Sequence, residues 1–199
     1  HQGVFDLSYL RCIPNMVIAC PSDENECRQL LYSAYEHKGP AAVRYPRGEG
    51  PGAFIVETMT AFEIGKGVLL SKGCDVAILN FGVMLPEARR AAAEMGASLA
   101  DMRWAKPLDR DLILSLAHSH DRLITVEENA LAGGAGSAVS ELLQQEGIDC
   151  QVRHVAIGDY FVEHASQGQN RSQAGLTTEA ILQAGRLSDA VAEAVAISH

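Results

Sequence analysis

Apolar residues in this chain come as short unbroken runs separated by longer segments in which they recur every three or four positions. Met16-Val17-Ile18-Ala19 is such a run, closed by Pro21, which cannot donate to a ladder, so it predicts a buried strand. Ser22 and Asp23 then offer helix caps. Cys27, Leu30, Leu31, Ala34 and Tyr35 fall at helical spacing on one face and predict an amphipathic helix that stops at Gly39-Pro40. Ala41 to Tyr45 predicts a second strand. Together these form a βαβ unit of about thirty residues with parallel strands and a right-handed crossover. Two strands cannot bury both faces, so the unit is the end of a larger sheet.

Gly48-Glu49-Gly50-Pro51-Gly52 holds neither helix nor central strand, and irregular residues follow to Ile64, which predicts a linker over residues 49–63. A new rhythm then starts. Strands are expected at Asp75 to Asn80, Ser98 to Met102, Arg122 to Val126 and Gln151 to Ala156. Helices are expected at Pro86 to Glu94, Arg110 to His118 and Ser137 to Gln145. A polar loop, Ser166 to Arg171, precedes alanine-rich helices running through Ile197. The fold class is therefore α/β: the end of one domain in residues 1–48, and in 64–199 a second with a mostly parallel sheet covered by helices.

Hydrophobic residues make up 47% of the 199, enough for a sizeable core. The net charge of -9 argues against a nucleic-acid surface, which needs clustered Lys and Arg. Cys12, Cys20, Cys27, Cys74 and Cys150 lack metal-type spacing and read as reduced thiols of a cytoplasmic protein. No apolar run approaches the roughly 18 residues of a membrane span. The chain opens on His1 inside what reads as a motif, which predicts a piece of a longer protein.

Candidate chemistry concentrates where the second strand ends. Arg44 and Arg47 flank Tyr45-Pro46, at the strand end where open α/β sheets bind ligands. Guanidinium forks suit phosphate or carboxylate, and an ion pair at the surface or between domains suits the same residues equally well. His1 titrates near neutrality and can donate to an oxyanion or relay a proton, although a lone histidine is more often structural. Gly133-Gly134-Ala135-Gly136, between a strand and a helix, offers backbone N–H groups to an anion, but Val139 breaks the dinucleotide pattern and close packing explains the glycines better. Glu127-Glu128 before that turn read as solvated carboxylates or a subunit contact. His118 and His120 straddle a helix end, and Trp104 reads as core or interface packing.

Taken together, His1-Gln2-Gly3-Val4-Phe5-Asp6, Pro21-Ser22-Asp23-Glu24-Asn25-Glu26, Val43-Arg44-Tyr45-Pro46-Arg47-Gly48, Asp101-Met102-Arg103, Lys106-Pro107-Leu108-Asp109 and Glu127-Glu128-Asn129 resemble the 1-deoxy-D-xylulose-5-phosphate synthase family of the transketolase superfamily. The resemblance runs in order over essentially the whole chain. It implies that residues 1–48 end a pyrimidine-binding domain and that 64–199 are a transketolase C-terminal domain. It also implies a cytoplasmic, homodimeric transferase that joins pyruvate, with decarboxylation, to glyceraldehyde 3-phosphate on thiamine diphosphate and Mg2+. The product feeds isoprenoid, thiamine and pyridoxal synthesis.

On that mapping His1 faces the reacting centre, Arg47 holds the acceptor phosphate, and Arg44 has a supporting role. The family's Gly-Asp-Gly metal and diphosphate motif and its activating glutamate match no segment here. The isolated chain is therefore expected to bind neither cofactor nor metal and to be inactive. The alternatives are a non-catalytic dimerisation or regulatory module, with Glu127-Glu128 and Gly133 to Gly136 at a subunit contact, and a related transketolase-type or oxoacid dehydrogenase-type enzyme with another substrate.

Overall fold

The computed structural model describes residues 3–186, so His1 and everything from residue 187 on, including most of the alanine-rich run expected to be helical, lie outside the described residues. The first element is a short helix, α1 (Asp6–Arg11), with Leu7 as its buried anchor. Strand β1 (Val17–Ala19), helix α2 (Glu24–Glu36) and strand β2 (Ala41–Val43) form the expected βαβ unit, with Val17 to Ala19 in parallel register against Ala41 to Val43. Asp23 caps α2 by accepting from the Glu26 amide.

The face that α2 turns inward is not the expected one. Gln29, Leu30 and Ser33 are buried, whereas Leu31 is 57% and Tyr35 82% exposed. The cause lies in the irregular stretch after Gly48, whose backbone groups need partners. The amides of Gly52 and Ala53 donate to Glu24 at 2.8 and 3.0 Å, Val56 to Asn25 at 3.1 Å, Thr60 to Gln29 at 2.6 Å and Phe62 to Ser33 at 2.7 Å. The stretch is thus laid along a polar stripe of α2.

The remainder is built on β3 (Val68–Ser71), β4 (Val76–Phe81), α3 (Leu85–Met95), β5 (Ser98–Asp101), β6 (Trp104–Lys106), α4 (Arg110–Ser119), β7 (Arg122–Ala130), α5 (Ala135–Gln145), β8 (Gln151–Ile157), α6 (Gln167–Gln173) and α7 (Thr178–Arg186). Five strands form one sheet in the order β3-β5-β4-β7-β8, parallel except for β3 at the edge. Alternation along the strands sorts their side chains into two cores. Ile78, Leu99 and Ile124 pack with Met84, Ala88 and Ile181 on one face. Ala77, Leu79, Phe81 and Leu123 pack with Leu7, Ile113, Leu116 and Val139 on the other.

The two parts are joined by more than the linker. From β5 in the large sheet the chain turns through Met102-Arg103 and enters the small sheet as β6, antiparallel to β1, giving the order β2-β1-β6. Arg103 takes a left-handed conformation (φ 58°), unusual for a residue with a Cβ. Its guanidinium grips Glu26 through two 2.8 Å hydrogen bonds and lies 3.9 Å over the Phe62 ring. Strands β3 and β6 went unforeseen in the sequence. Among the described residues no helix is long and apolar enough to cross a membrane.

Candidate functional site

Beyond β2 the Arg44 amide still pairs with Ala19 O at 2.8 Å, and then Pro46, lacking an N–H, ends the ladder. The two arginines part ways there. Arg44 turns inward, its side chain 10% exposed, with Nε 3.4 Å from Asp6, one terminal nitrogen 3.3 Å from Glu128 Oε2 and the other donating to the Glu128 carbonyl. Arg47 is exposed, and its guanidinium has no ion pair or hydrogen bond among the described residues. The structural expectation for Arg44 holds, and Arg47 is left as the available anion hook.

Arg47 lines a cavity of about 510 Å³ at the seam between the two parts of the chain. Gly3, Val4, Pro46 and Gly48 form one wall; Ile157, Val162 to Ala165 and the residues of α6 form the other. The Gln167 side chain donates to Arg47 O at 3.0 Å, and Phe5 meets Phe161 edge to face at 5.8 Å, so the walls touch at two points. The segment carrying the second wall is helix α6, not the expected polar loop. Ser166 and Gln169 make a capping box that starts it, a signature present in the sequence but unread there.

Glu127 and Glu128 are not the solvated carboxylates expected. Glu127 is 0% exposed and accepts from the Ala135 and Gly136 amides, both at 2.7 Å, at the start of α5. A Cβ on Gly134 would stand 2.5 Å from the Glu127 carboxylate, and one on Gly136 2.5 Å from Thr125 Oγ1 and 2.6 Å from His154 Nδ1. The glycines are there for close approach, as expected, and the carboxyl group in their cradle is the chain's own. Burial, only partly offset by these two N–H donors and by Arg11 and Arg44, pushes the Glu127 carboxyl up to about 7. Glu128 lies between Arg44 and Arg171, whose Nε is 2.7 Å away, and its side chain is 11% exposed.

The other singled-out residues are structural. His120 contacts Ser98 Oγ at 2.8 Å and Leu116 O at 2.9 Å, while His118 contacts Leu114 O at 2.6 Å. Trp104 is fully buried in the small core with Val17, Ala19 and Leu30. All five cysteines are free thiols, and burial pushes Cys20 up to about 12, far from thiolate reactivity. Among the described residues no group of three His, Cys, Asp or Glu is placed to hold a metal. With its one glycine-rich cradle filled by Glu127, the described part of the chain does not fit a metal–diphosphate site.

These features define an α/β chain in which a mostly parallel sheet with one antiparallel edge strand is docked on the end of a second sheet, with a cavity at the seam that two arginines line. Residues 65–181 match the family described as transketolase, C-terminal domain, and residues 1–52 match transketolase, pyrimidine binding domain. The chain belongs to the transketolase C-terminal domain family. It is 58% identical over 181 residues to a 1-deoxy-D-xylulose-5-phosphate synthase of Cellvibrio japonicus (strain Ueda107), an alignment covering 91% of this chain and 28% of that protein. It is 54% identical over 186 residues to the synthase of the same name from Vibrio vulnificus (strain CMCP6), covering 94% of this chain and 30% of that protein. The chain therefore spans under a third of these curated relatives. A solved structure titled "Split gene transketolase, inactive beta4 tetramer" superposes with a TM-score of 0.84 at 33% identity, covering 94% of this chain and 61% of that one.

Proposed function

We propose that the chain is the C-terminal portion of a 1-deoxy-D-xylulose-5-phosphate synthase and supplies the acceptor-phosphate side of its active site. The whole protein, in this reading, is a cytoplasmic homodimer that condenses pyruvate, with decarboxylation, and glyceraldehyde 3-phosphate. Thiamine diphosphate with Mg2+ supplies the carbanion chemistry when bound. Residues 1–48 end the pyrimidine-binding domain, 49–63 link, and 64–199 form the C-terminal domain. Arg47 receives the acceptor phosphate. His1, outside the described residues, is assigned the hydrogen bond to substrate oxygens at the reacting centre.

The observation that carries this is the guanidinium of Arg47, unpaired among the described residues, on a cavity at the seam, in a chain more than half identical to synthases of that name. In a full-length protein containing this chain, Arg47→Ala is expected to raise KM for glyceraldehyde 3-phosphate about tenfold to a hundredfold, the equivalent of a charge-assisted hydrogen bond, and to leave KM for pyruvate nearly unchanged. Equal losses for both substrates would sink the assignment. Use of a sugar-phosphate donor or a lipoyl acceptor in place of these substrates would point to another transketolase-type enzyme.

A second reading, association without catalysis, is favoured by the exposed Leu31, Tyr35 and Phe54 and by the solved neighbour, which its title calls an inactive beta4 tetramer. Calorimetry on the 199-residue chain is expected to show no saturable micromolar binding of thiamine diphosphate. Sedimentation of the same sample at high micromolar concentration tests the association, which a strict monomer would refute.

A further inference from the structure

The cavity holds a second guanidinium that the site as described leaves unused. Arg171, on α6, lines the same cavity as Arg47 but is brought there by a different segment of the chain. It spends only Nε, on Glu128 at 2.7 Å, and its two terminal nitrogens make no hydrogen bond among the described residues. Its side chain is 23% exposed, so those nitrogens belong to a held, half-buried fork rather than a waving surface arginine. Glu128 is itself fixed from behind by Arg44, whose other partner is Asp6.

Asp6, Arg44, Glu128 and Arg171 sum to zero charge. Arg171 thus adds donors to the cavity without adding net charge, and Arg47 adds a positive charge that Glu163 on the same lining offsets. The exposed side chains of Glu163 and His164 also line the cavity. A planar carboxylate is satisfied by one fork, whereas the three terminal oxygens of a phosphate monoester ask for donors from more than one direction. Two forks carried by different segments around one cavity meet that need.

We propose that Arg171 is the second arm of the anion site, gripping the same phosphate group as Arg47, with Glu128 as the positioning residue that aims it. This rests on the assignment of Arg47 as an anion hook and deepens it: the site selects a phosphate monoester over a carboxylate, and closing on it ties α6 to the end of β2.

The test is an NMR titration of the 199-residue chain with inorganic phosphate, and separately with acetate, for wild type, Arg47→Ala, Arg171→Ala and the double variant. Phosphate is expected to shift the Gly48 amide and the amides of residues 171–174 with one dissociation constant, and to shift the Arg171 side-chain nitrogens in the wild type. That last readout needs no variant to fold. Arg171→Ala should weaken phosphate about tenfold and Arg47→Ala more, with the double variant losing less than the product of the two because both grip one anion. Acetate binding should be little affected by Arg171→Ala. If Arg171→Ala binds phosphate like wild type while Arg47→Ala does not, the second arm is overturned and the hook stands. If the two losses simply multiply, the arginines serve separate anions and the proposal fails. If phosphate shifts neither wall, the proposal and the hook fall together.

Discussion

Replacing Trp104 by alanine is expected to cost about 3–5 kcal/mol, the usual toll for emptying a large buried aromatic site, and to loosen one part of the molecule before the other. Trp104 is fully buried and is the largest of the four buried residues of its core, with Val17, Ala19 and Leu30, against which only the partly buried Ala41, Val43, Phe62 and Ile64 pack. A core that small has little with which to refill the space. The residue also sits on β6, the strand that the larger part lends to the smaller sheet, directly opposite Ala19. Its loss therefore weakens both the packing under β1 and the seam along which the cavity lies. Hydrogen exchange locates the effect. The amides of Val17, Cys20 and Arg44, bonded to Pro40, Arg103 and Ala19, should exchange much faster in Trp104→Ala, and those of β4 and β7 should change little. Trp104→Phe keeps most of the volume and should cost less than half as much in denaturant melts. A loss below about 1 kcal/mol for the alanine variant would mean that the seam is not held by this side chain.

The elements that were legible are those whose stabilisation is local or repeats with a fixed period. Ile78 against Ala77, Leu79 and Phe81 reads as a strand covered on both faces, and the structure sorts those residues into two cores accordingly. Gly39-Pro40 and Gly48 to Gly52 punctuate where they should. The failures share another cause. Strands β3 and β6 are four and three residues long and exist because β5 and β1 offer them edges, information held far away in the chain. On α2 the apolar pattern was real, but polar side chains won the inward face because the irregular backbone from Gly52 to Phe62 needed hydrogen bonds, leaving Leu31 and Tyr35 outside. For the site, Arg47 and its separation from Arg44 followed from Pro46 and the strand end. Arg171 did not, because its segment was read as a loop although Ser166 and Gln169 carried the capping signature. Glu127 was misjudged because adjacency to a glycine-rich turn does not reveal that the strand folds its own carboxylate back under α5.

That carboxylate governs the second large effect, and its sign is opposite to the common case of a paired surface acid. Glu127 titrates at about 7 in the folded chain against an ordinary value of 4.5, because burial outweighs the two amide donors and the neighbouring arginines. The folded state then binds the extra proton between those two values. Stability is full below about pH 4.5 and falls as pH rises to 7, by roughly 3 kcal/mol for a shift of this size. Asp101, buried beneath Ser22 Oγ at 2.6 Å and raised from 3.8 to about 6 chiefly by burial, acts in the same direction between pH 4 and 6. Exposed, paired acids such as Glu146, lowered by Arg110, act in the opposite direction, so the Glu127 contribution is read from a variant rather than from the wild-type curve. Glu127→Ala strands the Ala135 and Gly136 amides without an acceptor, at about 2 kcal/mol apiece, so about 4 kcal/mol is expected at pH 5. Because only the wild type loses the Glu127 contribution on the way to pH 8, the difference should shrink there to about 1 kcal/mol. Urea melts at the two pH values decide the matter. A difference that grows with pH would mean that the two amides and the helix terminus outweigh burial, so that the ionised carboxylate is the native form and α5 is held by a charge rather than by a proton.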